Sequence, residues 1–364
     1  MNKLGFGFLR LPFAGENVDY RLLDQMVDTF LEKCGHYFDT AYTYLGGKSE
    51  EAIRKSVVER HRRDAFLLAD KLPGYMVKAK GDCIRYFEEQ QKRCGVDYFD
   101  VYMLHWLNAA NYAIAEKYAE FDFLAEMKNQ GKAKKIGFSY HDTAAQLDEI
   151  LTKHSEVDYV QLQINYLDWE SESIQSRLCY ETAVKHGKKV IVMEPVKGGT
   201  LAKVPAEAEQ LLKSCDPTAS AASHALRFAH SLPEVEIVLS GMNTMEQLMD
   251  NLQDAPPITE EHRAVLKRVA EILNQSIAIP CTGCGYCVKH CPQHIAIPYY
   301  FTLYNEYRRH PDEDWKITPV YDRLTVENGK ASCCVGCKSC ERNCPQTLPI
   351  FEYLKQVSNA FDIG

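Results

Sequence analysis

At 364 residues the chain is longer than one compact core usually takes, so a large domain with a smaller companion is expected. A net charge of −8 and a pI near 5.9 exclude the basic stripe of a nucleic-acid surface, and 46% apolar with 25% charged residues is ordinary for a soluble globular chain. No apolar run approaches the roughly 20 residues that cross a bilayer, and "MNKLGFGFLRLPFAG" holds no signal-peptide core, so the expected location is the cytoplasm.

Strand-like runs follow one another along the first three quarters: "LGFGFL" (4–9), "HYFDT" (36–40), "AFLLAD" (65–70), "DVYMLH" (100–105), "KKIGFS" (134–139), "YVQLQI" (159–164), "KVIVME" (189–194) and "EIVLSG" (236–241). Amphipathic helical patterns lie between them near 19–33, 48–60, 82–94, 115–130, 143–153, 171–186 and 217–230, with another at 244–253. Eight strand–helix units over about 250 residues predict an α/β fold of the (β/α)8 TIM-barrel type; an open doubly wound sheet is the other arrangement that periodicity allows. The short basic cluster Lys132, Lys134, Lys135 reads as a solvated helix-to-strand turn. Pro256 and Pro257 break the chain before a further helix at 260–274, and the composition changes near 275.

Barrel sites are built at the C-terminal ends of strands. Asp39 ends the second strand and Tyr44 follows five residues later, ahead of a Gly-Gly turn; Lys71 ends the third strand and His105 the fourth. Taken singly, these have plain structural readings: a helix cap, a solvated lysine, a core histidine. Together they point to an acid–base site. A free tyrosine, with a pKa of about 10, is a weak acid at neutral pH. The Lys71 ammonium, held by Asp39, is expected to lower that pKa so that Tyr44 donates a proton to a carbonyl oxygen, with His105 polarising the same oxygen.

The cysteines are unevenly spread. Five lie in 1–275 (Cys34, Cys83, Cys94, Cys179, Cys215) and nine in 276–364. Cys281, Cys284, Cys287, Cys291 and Pro292 recur 53 positions later as Cys334, Cys337, Cys340, Cys344 and Pro345, both runs reading C-x2-C-x2-C-x3-C-P. Three closely spaced thiolates wrap one cuboidal 4Fe–4S cluster, and the fourth reaches the other. The expected ligation is therefore crossed: Cys281, Cys284, Cys287 and Cys344 for one cluster, Cys334, Cys337, Cys340 and Cys291 for the other. Structural zinc, which favours two separated C-x2-C pairs, is the lesser alternative. Cys333 stands one residue off the repeat and reads as a spectator. The segment 276–364 carries nine basic and nine acidic residues, so its overall charge names no partner.

At these residues the sequence resembles the aldo-keto reductase family. "LGFGFLRLP", "FDTAYTYLGGKSEEAI", "ADKLP", "VYMLHW", "IGFSYH", "VQLQINY" and "SGMNTMEQLMDNL" follow that family's landmarks in order over about residues 3–275. The resemblance implies a catalytic tetrad of Tyr44, Asp39, Lys71 and His105. It also implies NADPH or NADH across the barrel mouth, with Ser139 and Gln161 at the carboxamide and Gly241 and Asn251 at cofactor positions around strand eight. Met193 and Glu194 stand where the family often stacks a tyrosine. Gly241, Met242 and Gln247 stand where basic residues often grip a 2′-phosphate, so the choice of nicotinamide stays open. Lys197, Gly198 and Gly199 form either a pyrophosphate cradle or a plain loop. The whole chain is similar to a subgroup with a C-terminal two-cluster ferredoxin domain of α+β type, giving a barrel over 1–275 and a cluster domain over 276–364.

The expected function is an oxidoreductase that interconverts a carbonyl and an alcohol and passes electrons through two 4Fe–4S clusters. An ordinary reductase with structural clusters is the first alternative; an electron carrier whose barrel is a docking scaffold is the second. Hydride moves two electrons together and a cluster moves one. A flavin, a substrate radical or a ferredoxin- or flavodoxin-like partner would reconcile them. Tyr75, Trp106, Tyr140, His141 and Trp169 are candidate pocket aromatics.

Overall fold

Eight parallel strands close into a barrel: β1 (Leu4–Gly7), β2 (Tyr37–Asp39), β3 (Leu67–Leu72), β4 (Phe99–Leu107), β5 (Ala133–Tyr140), β6 (Tyr159–Gln163), β7 (Lys189–Met193) and β8 (Val235–Ser240). Each pairs with its sequence neighbour. β1 closes the ring, with Gly5 opposite both Tyr37 of β2 and Leu239 of β8. Closure rules out the open doubly wound sheet. The computed structural model describes residues 3–33, 35–171, 174–253, 257–309 and 314–362, so Cys34 and Pro256 lie outside the described residues.

Alternation along each strand decides what faces inward. Tyr37, Ala69, Val101, Met103, Tyr159, Ile191, Ile237 and Leu239 form one buried cluster that fills the barrel. The opposite parity faces the helices. There Phe6 and Phe38 meet Phe30 of α1 (Tyr20–Glu32), with ring centroids 5.7 and 5.3 Å apart. Leu23, Met26, Val27 and Phe30 give α1 its single buried stripe, and Asp19 caps it by accepting from the Leu22 amide at 3.1 Å. Each such fully buried side chain contributes about 1.5–3 kcal/mol of transfer free energy.

The helices depart from the sequence pattern where the backbone turns left-handed or local hydrogen bonding changes. The run at 115–130 is two helices, α4 (Ala109–Tyr118) and α5 (Glu120–Asn129), broken at Ala119 with φ 56°. The pattern at 48–60 is an α-helical turn, α2 (Lys48–Ile53), followed by a wider π turn. α3 (Lys80–Cys94), α6 (Ala144–Lys153), α7 (Ser176–Lys185) and α10 (Met245–Asn251) sit close to expectation. α8 (Ala206–Cys215) was not anticipated, and α9 begins only at Ala221, running to His230. Lys134 and Lys135 are neutralised by Asp100 and Asp158.

The chain divides into two units, Met1–Val196 with Ala222–Thr259, and Lys197–Ala221 with Glu260–Gly364. The second unit contains α8, α11 (Glu260–Ser276), α12 (Ile297–Arg309), α13 (Asp314–Leu324), the short α14 (Ser339–Arg342) and α15 (Ile350–Phe361). Its extended pairing among the described residues is one bridge, Ile295 to Gly329. The aromatic stretch between the cysteine motifs becomes α12. Tyr300 there donates to the Gly329 carbonyl at 3.0 Å, and Tyr321 of α13 accepts from the Ala331 amide at 2.9 Å. These bonds pin the backbone just ahead of the second cysteine motif. Among the described residues no helix is long and apolar enough to cross a membrane.

Candidate functional site

The parity that fills the barrel also places the polar residues. Two residues beyond Tyr37, Ala69 and Met103, on the same inward face and nearer the C-terminal strand ends, stand Asp39, Lys71 and His105. Two beyond Gly137, Tyr159 and Leu239 stand Ser139, Gln161 and Gly241. Tyr44 arrives by a tight turn. Leu45, Gly46 and Gly47 are left-handed in succession, with φ of 52°, 66° and 94°, which explains the Gly-Gly pair.

Lys71 is not a solvated lysine. It is 1% exposed, and its Nζ donates to Asp39 Oδ1 at 2.5 Å and to the Thr40 carbonyl at 2.8 Å. The same Nζ lies 5.0 Å from the centre of the Tyr44 ring, and the Tyr44 and His105 rings are 5.5 Å apart, edge to face. Four residues from three strand ends thus converge.

The direction of the Tyr44 shift is opposite to the expected depression. Burial first, and then the Asp39 carboxylate, push the phenol well above its ordinary value. Lys71 faces the ring, and its short hydrogen bonds go to Asp39 and Thr40, so its charge does not offset desolvation. Burial also raises the Asp39 carboxyl against the pull of Lys71. His105 is held neutral, its pKa driven well down by burial and then by Lys71; its Nδ1 is buried without a hydrogen-bond partner among the described residues. Tyr44 is therefore a neutral phenol with a proton to give, beside a neutral imidazole.

Sequence reading missed the support behind Lys71. Asp70, of opposite parity, accepts from the Lys71 amide at 2.7 Å. Gln90 of α3 donates to the Lys71 carbonyl at 3.1 Å and accepts from Tyr102 at 2.6 Å. Asp70 and Glu50 are both fully buried with raised pKa values, caused first by burial. Arg93 bonds Glu50 at 2.9 Å, and Cys94 Sγ lies 3.5 Å from Asp70. Asp70 left one sequence signal, a carboxylate on the strand parity that faces the helices; Glu50 and Gln90, on helices, left none.

Of the expected cofactor residues, Ser139 and Gln161 sit opposite each other on β5 and β6. Gln161 Oε1 is buried without a partner among the described residues, an acceptor that fits a carboxamide N–H. Ser139 Oγ accepts from the Trp106 amide at 2.7 Å, which holds Trp106 in a left-handed conformation with φ 61°. Asn251 donates to Ser240 at 2.8 Å, and Gly241 lies against Arg10, whose Cβ would be 3.2 Å from an added Cβ. Lys197 and Gly198 fall in the second unit. A Cβ on Gly198, where φ is 63°, would stand 2.2 Å from the Thr282 carbonyl oxygen, so this glycine is required by close backbone approach beside Cys281. Tyr75 and Trp106 pack edge to face 5.4 Å apart, and Tyr75 reaches His105 at 6.0 Å. Burial brings the pKa of the adjacent strand-end residue His141 down to about 4. Tyr140 instead bonds the Thr143 carbonyl, and Trp169 packs on Phe228 and Tyr180.

In the second unit, one cavity is lined by Cys281, Cys284, Cys287 and Cys344, and another by Cys291, Cys334, Cys337 and Cys340. These are the crossed sets. Cys333 is exposed and lines neither. The Gly283 amide donates to Cys281 Sγ at 3.4 Å. Burial first pushes Cys340 and Cys344 up to about 11 against backbone hydrogen bonds that lower them, with smaller contributions from neighbouring thiols, and pushes Cys287 higher. A bound cation must offset that cost by drawing off the protons. Four thiols around each of two cavities fit 4Fe–4S clusters in donor type and number.

A closed parallel barrel is followed along the chain by a module with two four-cysteine cavities suited to iron–sulfur clusters, and the family comparison makes the chain an oxidoreductase. The chain belongs to the Aldo/keto reductase family, whose model matches residues 3–271, and a 4Fe-4S dicluster domain model matches residues 280–350. It is 25% identical over 295 residues to the NADH-specific methylglyoxal reductase of Escherichia coli, covering 68% of this chain and 88% of that protein. Among solved structures it is similar to the holo form of aldo-keto reductase AKR11C1 from Bacillus halodurans, with TM-score 0.59 and 23% identity over 73% of this chain and 91% of that one. It also resembles an aldo-keto reductase from Klebsiella pneumoniae in complex with NADPH, with TM-score 0.61 and 18% identity over 74% and 91% of the two chains.

Proposed function

We propose that the protein interconverts a carbonyl and an alcohol with a nicotinamide cofactor, and couples this to electron transfer through two 4Fe–4S clusters, each held by one crossed cysteine set. The observation that carries the reading is the convergence of Asp39, Lys71 and His105, on the inward parity at the C-terminal strand ends, with Tyr44 from the turn that follows β2. Gln161 and Ser139 would hold the carboxamide; bound nicotinamide supplies or accepts the hydride. Tyr44 gives its proton to the carbonyl oxygen on reduction and takes one back on oxidation. His105, neutral, donates a hydrogen bond to the same oxygen and fixes its position. Lys71, locked by Asp39 and Thr40, places positive charge against the ring as negative charge builds on Tyr44.

The test is an anaerobic titration with NADH and, separately, NADPH on protein of known iron and sulfide content. Bleaching of the cluster absorbance by either nicotinamide in the absence of carbonyl is expected, the two electrons of one hydride going one to each cluster with release of one proton, and carbonyl substrate should then restore the colour. Carbonyl turnover without bleaching would leave an ordinary reductase with structural clusters. Tyr44→Phe should lower turnover by about 10²–10⁴-fold with iron content unchanged; unchanged turnover would remove the barrel site from the mechanism. Because burial raises the Tyr44 pKa, the reduction rate should show no basic limb from this group below pH 10.

A further inference from the structure

The two cysteine loops are not equivalent. The first, from Cys281 to Cys287, carries no charged residue; Thr282 is 4% exposed, and its carbonyl lies against Gly198. The second, from Cys334 to Cys340, is open: Cys337 and the preceding Cys333 are exposed, and Val335 is 62% exposed. Basic residues gather there. Lys338 lies within the loop and lines its cavity, and Arg342 follows in α14, donating to the Cys337 carbonyl at 3.2 Å. The turn Val288–His290, which carries Lys289, packs against α14.

The nearby carboxylates are already engaged. Glu341 accepts from the Phe351 amide at 2.9 Å, Glu352 pairs with Lys355, and Asp362 accepts from the Ser332 amide and the Tyr321 hydroxyl. Among the described residues no carboxylate pairs with Lys289 or Arg342, and Glu341 lies 3.8 Å from Lys338 in an exposed, weak pair. Glu341 and Asp362 keep their charge while bonded to backbone amides, so the three cations leave this loop with a small net positive charge inside a segment of near-zero charge.

We propose that this face, Lys289, Lys338 and Arg342 around Val335, docks an acidic one-electron carrier protein that exchanges electrons with the second cysteine loop and not with the first. The inference rests on the reading that the module holds clusters. Electron tunnelling weakens steeply with distance, so the partner must approach the loop that is open. Val335, exposed within the loop, supplies an apolar contact and the cations a complementary charge. Each encounter moves one electron from the reduced carrier to the iron–sulfur centre held by Cys291, Cys334, Cys337 and Cys340. The carrier is oxidised, the centre is reduced, no bond forms or breaks, and no proton moves. A lipid surface is the weaker fit, since three cations and one valine would give little anchoring.

The experiment uses the full-length protein with its iron loaded anaerobically and a reduced plant-type [2Fe–2S] ferredoxin as probe, mixed by stopped flow at rising salt. The expected rate falls steeply with salt and drops by about 10-fold or more at low salt in Lys289→Glu/Lys338→Glu. Binding of the oxidised probe should weaken in parallel, while iron content and nicotinamide binding stay unchanged. Lys117→Glu, an exposed charge change in the barrel unit, should have no effect. If the double variant loses iron, Lys289→Gln/Lys338→Gln reads the same effect at smaller size. A salt-independent rate, an equal loss in Lys117→Glu, no binding of the probe at low salt, or tighter binding to phosphatidylserine vesicles would each overturn the proposal. Failure to hold iron in the unmutated protein would instead overturn the cluster reading itself.

Discussion

In the barrel, the residues that converge come from three separate strand ends, and each is placed by strand parity: Asp39 two beyond Tyr37, Lys71 two beyond Ala69, His105 two beyond Met103. In the cysteine module, each cavity takes three residues from one short loop and a fourth from the loop some fifty positions away. In the barrel, Lys71 is fixed by bonds to Asp39 and to the Thr40 carbonyl, both supplied by the packed scaffold. The module gathers thiols around two cavities, where burial raises their pKa values and metal binding is what draws their protons off. Damage should therefore stay local in the barrel and travel in the module.

The largest effect is expected from Cys344→Ser. Loss of this one thiol should remove the centre at Cys281, Cys284 and Cys287, lowering iron from about eight to about four atoms per chain. Cysteine alkylation read by mass spectrometry should then label those three residues and spare Cys334, Cys337 and Cys340. Labelling of the second loop instead would show that each motif keeps its own fourth cysteine. Loss of all iron would show that the two cavities fold as one metal-dependent unit.

Lys71→Met probes the barrel side. Removing one partner of a buried ion pair costs about 3–5 kcal/mol, because Asp39 is left without its counter-charge. Its carboxyl is already raised by burial, and without Lys71 it rises further. A raised carboxyl pKa means stability is lost as pH rises through it, so the gap from the unmutated protein should widen between about pH 5 and pH 8. Chemical denaturation at both values measures this. Iron content should not change; a loss of iron would break the contrast between local and travelling damage.

The same contrast explains what could be read from sequence. All eight strands were visible because each is a short apolar run between helical patterns, and the cysteine motifs because their ligands are contiguous. Asp39, Lys71 and His105 were legible as strand-end residues, and Tyr44 by its Gly-Gly turn. The Asp70–Glu50–Gln90 group was not, since its members lie on three elements and carry no spacing signal. Nor was the sign of the Tyr44 shift. The sequence places a lysine nearby, but only the structure shows that its hydrogen bonds go to Asp39 and Thr40 while the phenol pays for burial. Sequence left Gly198 open between a pyrophosphate cradle and a plain loop, because a glycine serves any close approach; the structure shows one such approach, that of the Thr282 carbonyl.

The smallest expected effect concerns Glu120, at the start of α5. It is 1% exposed, its Oε1 has no hydrogen-bond partner among the described residues, and burial pushes its pKa from 4.5 up to about 7. A Cβ added to Gly74, in the loop that follows β3 and carries Tyr75, would stand 2.2 Å from Glu120 Oε2, so the carboxyl lies directly against that loop. The folded state binds this proton more tightly than the unfolded state. Stability from this group is therefore complete below about pH 4.5 and falls as pH rises towards 7, by about 1–3 kcal/mol in total. Glu120→Gln keeps the shape without the ionisation. It should match the unmutated protein near pH 4.5 and exceed it at pH 8 by about that amount, as measured by denaturant midpoints across the range. The module's iron content should not respond. Equal midpoints for the two proteins at every pH would mean that the carboxyl finds compensation when it ionises, and that the loop carrying Tyr75 is not held by a neutral acid.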